Sequence, residues 1–158
     1  MNNKRQMQLD SLDRRILTVL QNDAGQPLAA IAEVVGSSES SVRRRIKRLR
    51  TAGVIDREVA LLNHRYAGIE IIVSVSMNEE HSSRYDALKK RFLNDPAVSQ
   101  CYRVTGEVDM ILHVRAPDMS HYEVWLEDNI LADPAVRRCT SYVVYSRIKF
   151  STEIALDD

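Results

Sequence analysis

SSESSVRRRIKRLRTAGVI, residues 37–55, packs six basic side chains into the eight residues from Arg43 to Arg50. Val42, Ile46 and Leu49 recur within it at i, i+4 and i+7, so the stretch reads as an amphipathic helix with one apolar stripe. Ser37 or Ser38 is suited to cap its start and Gly53 to close its end. Opposite the stripe stand Ser40, Arg44, Lys47 and Arg48, with Ser41, Arg43 and Arg45 on the flanks. Arg forks onto guanine O6 and N7, and Ser bonds to bases or phosphates. The first half of such a helix would face bases, so Ser40, Ser41, Arg44 and Arg45 are the candidate base contacts. Lys47, Arg48 and Arg50 are candidate phosphate contacts. A basic run alone reads first as a solvated helix face, and the segments before it shift the reading.

Upstream, Asp10 reads as the N-cap of a helix whose stripe is Leu12, Ile16, Leu17 and Leu20, stopping near Gly25. A short second helix begins near Pro27, carries Leu28, Ile31, Ala32 and Val35 on one face, and ends at Gly36. Helix, short helix, turn with Gly, then basic helix is the order of a helix-turn-helix unit. That order favours DNA over a merely solvated face. Downstream, Val54 to Leu61 reads as a strand or wing, and residues 63–68 (NHRYAG) as a hinge.

The second half changes rhythm. Ile69, Ile71, Val73, Val75 and Met77 alternate with polar residues, as a half-buried strand does. A helix from Ser82 or Ser83 follows, with Tyr85, Leu88 and Phe92 on one face. Strands are expected over 98–104 and 110–116, then a helix over about 119–131 burying Tyr122, Trp125, Leu126 and Ile130. A last strand runs from Val136 to about Phe150, and the tail STEIALDD reads as loose. The order βαββαβ is the ferredoxin-like plan. DPAVSQC (95–101) recurs as DPAVRRC (133–139), each after a helix and into a strand, which supports two βαβ units. The fold class expected is therefore α+β, with a winged helix-turn-helix at residues 1–62, a hinge at 63–68, a ferredoxin-like domain at 69–150 and a tail at 151–158.

The totals agree. The 22 Lys and Arg balance 22 Asp and Glu, but residues 1–66 hold 12 basic against 7 acidic, and the remainder 10 against 15. A basic first half fits a polyanion partner. No apolar run approaches the roughly 20 residues of a membrane helix, and MNNKRQMQLD lacks the apolar core of a secretory signal. Cys101 and Cys139 fit a reducing cytoplasm and read as buried structural thiols. His64, His81, His113 and His121 show no metal spacing, and no catalytic motif appears, so neither metal nor cofactor is expected. The turn Thr105-Gly106-Glu107-Val108-Asp109 reads either as an ordinary hairpin turn or as a zwitterion site. In the second case N–H groups near Gly106 take a carboxylate, and Asp109 or Glu107 an ammonium.

LDSLDRRILTVLQNDAG, LAAIAEVVGSSESSVRRRIKRLRTAGVI, ALLNHRYAG, RVTGEVDMILHVRAPDM and TSYVVYSRIK together, in this order, resemble the Lrp/AsnC (leucine-responsive/asparagine-responsive, feast/famine) transcription regulators. The resemblance spans nearly the whole chain. It implies a DNA-binding regulator that forms homodimers, assembling to tetramers or octamers, with an amino-acid effector held between dimers. It points to Val104, Thr105, Gly106, Glu107 and Asp109 as effector residues, with Ser141 contributed by a neighbouring subunit. The chain departs from the family at the turn, GEVD, and at Cys139 and Ser141, where threonines are frequent. Two other readings share the plan: an architectural DNA-binding protein without ligand response, and a tetrapyrrole-decarboxylase-like enzyme. The acidic second half and scattered histidines count against the enzyme.

Overall fold

A computed structural model describes residues 7–78 and 82–156, with 82–84 described in backbone only. The first six residues, His81 and the last two aspartates lie outside the described residues. The chain divides into two compact units, residues 1–60 with 149–158, and residues 61–148.

The first unit holds three helices. In α1 (Ser11–Asn22), Asp10 caps the helix by accepting from the Asp13 N–H, and the Asp13 carboxylate accepts in return from the Asp10 N–H. This reciprocal pair satisfies two N–H groups that a helix start otherwise leaves unbonded. Helix α2 (Leu28–Val35) starts directly after Pro27 and ends at Gly36, whose φ of 64° permits the reversal into the next helix. Helix α3 (Glu39–Thr51) is capped by the Ser38 hydroxyl. Ile16, Leu17, Ile31, Ala32, Val35, Val42, Ile46 and Leu49 form the core, which matches the stripes read from periodicity. The sequence did not foretell Asp13, which is fully buried beside that core, while Leu12 and Leu20 are only partly covered.

Two expectations about this unit's edges are corrected. Residues 54–62 form no strand; Val59, Leu61 and Leu62 are exposed, and no segment among the described residues offers them a ladder partner. The tail read as loose is held instead. The Gln21 amide donates to the Ile154 carbonyl at 3.1 Å and accepts from the Ile154 N–H at 2.7 Å, and Leu156 packs against the three-helix core.

The second unit is a four-stranded antiparallel sheet in the order β2-β3-β1-β4, with β1 Ile69–Met77, β2 Val98–Arg103, β3 Met110–Ala116 and β4 Val136–Val143. Helix α4 (Ser82–Asn94) joins β1 to β2, and α5 (Met119–Leu126), continued by a π-turn over Glu127–Leu131, joins β3 to β4. Ile71, Val73, Val75, Met110, Leu112 and Val114 face the helices and pack on Leu88, Phe92, Tyr122 and Ile130. The repeated DPAV segments fold alike. Asp95 and Asp133 each use a carboxylate oxygen and a carbonyl to accept the N–H groups two and three residues on. Tyr122 stacks on Trp125, whose indole N–H donates to Asp95, so these aromatics are core as expected.

Strand β4 is shorter than read. It leaves the ladder after Val143, opposite Ile71, because β1 starts only two residues earlier, and one more bond, Val144 N–H to Glu70 carbonyl, ends the pairing. Cys101 is exposed on edge strand β2 rather than buried, while Cys139 is half-buried. At the entry to β1, Gly68 has φ of 67°, and a Cβ there would lie 2.1 Å from the Ala116 carbonyl oxygen, so only glycine fits.

Substituting Gln21 with Ala removes both bonds to Ile154. Hydrogen exchange of the α1 amides should quicken by roughly 5-fold, as a net loss of about 1 kcal/mol requires. Unchanged exchange would show that the tail adds nothing to this unit.

Candidate nucleic-acid interface and effector turn

Helix α3 sorts its own charges. Arg45 is drawn inward: one of its terminal nitrogens donates to Asp10 at 2.6 Å and to Asp13 at 2.8 Å. Its Nε is buried without a hydrogen-bond partner. Arg45 is therefore corrected from a base-facing side chain to one that ties α3 to the start of α1. The Arg45 guanidinium, with the Asp13 N–H, holds the Asp10 carboxyl down to about 2, and the two carboxylates raise the Arg45 pKa in turn. Arg48 donates to the second oxygen of Asp13 at 2.5 Å, with its side chain still 46% exposed. Arg50 folds over Glu58 with two bonds of 3.0 and 2.6 Å.

Three of the six basic residues thus have carboxylate partners. The others, Arg43, Arg44 and Lys47, are exposed and have no ion-pair partner among the described residues. They share the outer surface of α3 with Ser40, whose hydroxyl lies 3.1 Å from that of Ser38. Ser41 is half-buried, and its N–H is taken by the Ser38 cap. Spacings of three and four residues bring Ser40, Arg43, Arg44 and Lys47 onto one face, so a compact patch of uncompensated positive charge survives in a neutral chain.

The turn after β2 is tightly built. The Val104 N–H donates to the Asp109 carbonyl at 3.0 Å, and the Asp109 N–H to Val75 at 2.9 Å. The Asp109 carboxylate accepts from the Met77 N–H at 2.7 Å, and the Ser76 hydroxyl donates to the Glu107 carbonyl. Asp109 thereby staples the turn to the end of β1. Gly106, at φ of 129°, takes a backbone shape that favours glycine, with nothing within 4 Å of where a Cβ would be. Thr105, Gly106 and Glu107 are exposed and Val104 half-buried. Ser141 is not at the turn: it lies on β4 opposite Val73, with β1 between it and β3. Its hydroxyl shares a 2.5 Å hydrogen bond with Tyr122, whose phenol pKa burial pushes up.

A further polar cluster escaped the sequence reading. Glu70 meets Arg147 at 2.6 Å, Arg115 at 3.4 Å and His113 at 3.8 Å. Burial opposes its ionisation, but Arg147, Arg115 and His113 outweigh it and hold the carboxyl below its usual range. A cavity of about 350 Å³ opens beside it, lined also by Gly68 and Ser146. The cavity is lined by none of the residues of the 104–109 turn. At about 3.3 Å per residue, Glu70 and the turn's anchor at Met77 are some 23 Å apart along β1. A signal existed, since Glu70, His113 and Arg115 alternate on the strand faces away from the core, but nothing in spacing joins them to Arg147.

The comparisons bear on both regions. Residues 9–50 match the AsnC-type helix-turn-helix domain, and residues 70–154 match the Lrp/AsnC ligand binding domain. An HTH-type transcriptional regulator of Haemophilus influenzae is 33% identical over 94% of this chain and 89% of its own. The leucine-responsive regulatory protein of Escherichia coli K12 is 30% identical over 94% and 92%. Among solved structures, a Neisseria meningitidis transcriptional regulator in complex with L-Met superposes with a TM-score of 0.89 at 28% identity, over 95% of this chain and 98% of that one. An AsnC family regulator from Agrobacterium tumefaciens gives 0.86 at 31%, over 93% and 97%. With a DNA-binding fold, a second unit of the matching plan and relatives alike along nearly their whole length, the chain belongs to the Lrp/AsnC family of transcription regulators.

Proposed function

We propose that this regulator binds specific double-stranded DNA sites through α3 and answers to an amino acid bound at the β2–β3 turn of its second unit. The observation that carries the first part is the division of charge on α3: Arg43, Arg44 and Lys47 stand exposed beside Ser40, while Arg45, Arg48 and Arg50 hold carboxylates. Arg44 and Ser40 face base edges, and Lys47 and Arg43 meet phosphates. Ser41 contributes through the start of the helix rather than through a free side chain.

Effector binding rests on the ligand-binding family match and on the L-Met complex of the Neisseria relative. The N–H groups around Thr105 and Gly106 receive the carboxylate. Glu107, exposed, receives the ammonium, since one Asp109 oxygen is already bonded to Met77. Val104 borders the side chain, and Ser141 of a neighbouring subunit completes the site.

The protein acts in the cytoplasm as a homodimer, with tetramers or octamers built from it. Two features support assembly. The sheet face turned away from the helices carries Tyr102 and Tyr142, both exposed, and Val59, Leu61 and Leu62 form an uncovered extended segment that a second copy could pair. A dimer places two copies of α3 one helical turn of DNA apart, roughly 34 Å. Effector binding that shifts assembly then shifts DNA binding by linkage.

Two measurements test this. In gel-shift titrations on DNA upstream of its own gene, Arg44→Ala should cost about 1–3 kcal/mol and relax sequence preference. Lys47→Ala should weaken all sequences alike and reduce the salt slope by about 0.9. Sequence-blind binding by the unaltered protein would defeat the DNA reading. In a thermal-shift panel of the twenty amino acids, a true effector at about a hundred times its Kd stabilises by about 2.7 kcal/mol, and Glu107→Gln should abolish the shift. A panel without any shift would defeat the effector reading.

A further inference from the structure

Asp13 is a carboxylate with no exposed surface, and it divides its two oxygens between two arginines of α3. One oxygen accepts from Arg45, which also bonds Asp10 and has only 18% of its side chain exposed. The other accepts from Arg48, whose side chain is 46% exposed. These roles differ. Arg45 bonds both carboxylates and leaves its own Nε unsatisfied, so it is a pin between helices. Arg48 bonds Asp13 through one terminal nitrogen, Nη2. A guanidinium carries five N–H donors in a rigid plane, so anchoring one nitrogen restricts where the others can point.

Arg48 also extends the exposed patch. It lies four residues after Arg44 and one after Lys47, at the end of α3 away from its base-facing start. Phosphate contacts, not base contacts, belong at that end. A long exposed side chain ordinarily loses much rotamer freedom on meeting a phosphate, and one already tethered loses less.

We propose that Asp13 is a positioning residue for DNA binding: through its bond to Arg48 it presets that guanidinium to receive a DNA phosphate. The proposal rests on the reading that α3 enters DNA and adds a residue that touches no DNA itself. Arg45, seated on Asp10 and Asp13, keeps the Asp13 carboxylate in register. The two carboxylates and two guanidiniums cancel in charge, so this buttress adds no net negative field beside Arg44 and Lys47.

The test is a double-mutant cycle on the full-length protein, with Kd for upstream duplex DNA measured across a salt series. Arg48→Ala should weaken binding about 10-fold and lower the salt slope by about 0.9. Asp13→Asn should weaken binding about 3- to 10-fold when Arg48 is present and by less than about 2-fold in the Arg48→Ala background. If Asp13→Asn unfolds the protein, Arg48→Lys decides. Lysine keeps the charge but not the planar fork, so preset geometry requires a loss of about 3-fold or more, and mere neutralisation of Asp13 requires none. Additive effects, an unchanged slope for Arg48→Ala, or full activity in Arg48→Lys overturn the positioning role while leaving DNA recognition by α3 intact. No salt-dependent DNA binding by the unaltered protein overturns both.

Discussion

A carboxylate shut away from water, Asp13, fixes the arrangement of the three-helix unit. Removing one partner of a buried ion pair typically costs about 3–5 kcal/mol, a large share of a small domain's stability. Asp13 meets that constraint three times over, since it closes the capping box of α1, takes Arg45 and takes Arg48. The apolar stripe of Val42, Ile46 and Leu49 brings α3 against the other helices, but a hydrophobic contact is tolerant of rotation and sliding. The ion pairs are not. They set which side of α3 faces inward, and so decide that Arg43, Arg44 and Lys47 face out.

The second unit has its own organising element in β1, which bonds β3 on one side and β4 on the other. Its two ends carry different chemistry. At the far end, Asp109 and Ser76 bind the β2–β3 turn to the strand, which gives an exposed, glycine-shaped loop of N–H groups a rigid base. At the near end, Glu70 gathers Arg115, Arg147 and His113 where the chain enters from the short helical turn at His64–Tyr66. The chain after β4 is held at that end too, through Arg147 and Val144. It then continues to the tail that bonds Gln21 on α1, so the connection between the two units is made by two segments of chain rather than one.

Periodicity and capping chemistry made most of the fold legible. Asp10, Gly36 and Ser38 sit where their chemistry puts them, and the DPAV repeat marks two corners built from the same aspartate bonds. Side-chain destinations were less legible, for a consistent reason. A hydrophobic pattern reports which face is buried but not which polar residue is buried with a partner. Asp13 sits one place from Leu12 with nothing in the apolar pattern to mark it as buried, and the flank position of Arg45 is ambiguous until the two aspartates are placed. The same holds for the turn, where the pattern offers Asp109 or Glu107 as the ammonium partner and carries no sign that one Asp109 oxygen is spent on Met77. Segments whose partners lie far along the chain, the tail at Ile154 and the extended stretch near Leu61, carry no local signature of what pairs them, or of the lack of it.

On the proposed reading, α3 divides its basic residues three ways: Arg45 and Arg50 hold the domain, Arg43, Arg44 and Lys47 meet DNA, and Arg48 does both. A crystal structure of the protein on a duplex from its own upstream region tests this most directly. Arg44 and Lys47 should lie within hydrogen-bond distance of the DNA, with Arg48 bridging Asp13 and a phosphate and Arg45 still seated on Asp10 and Asp13. A complex in which Arg45 has left Asp13 to contact a base, with Arg44 and Lys47 in solvent, would contradict it.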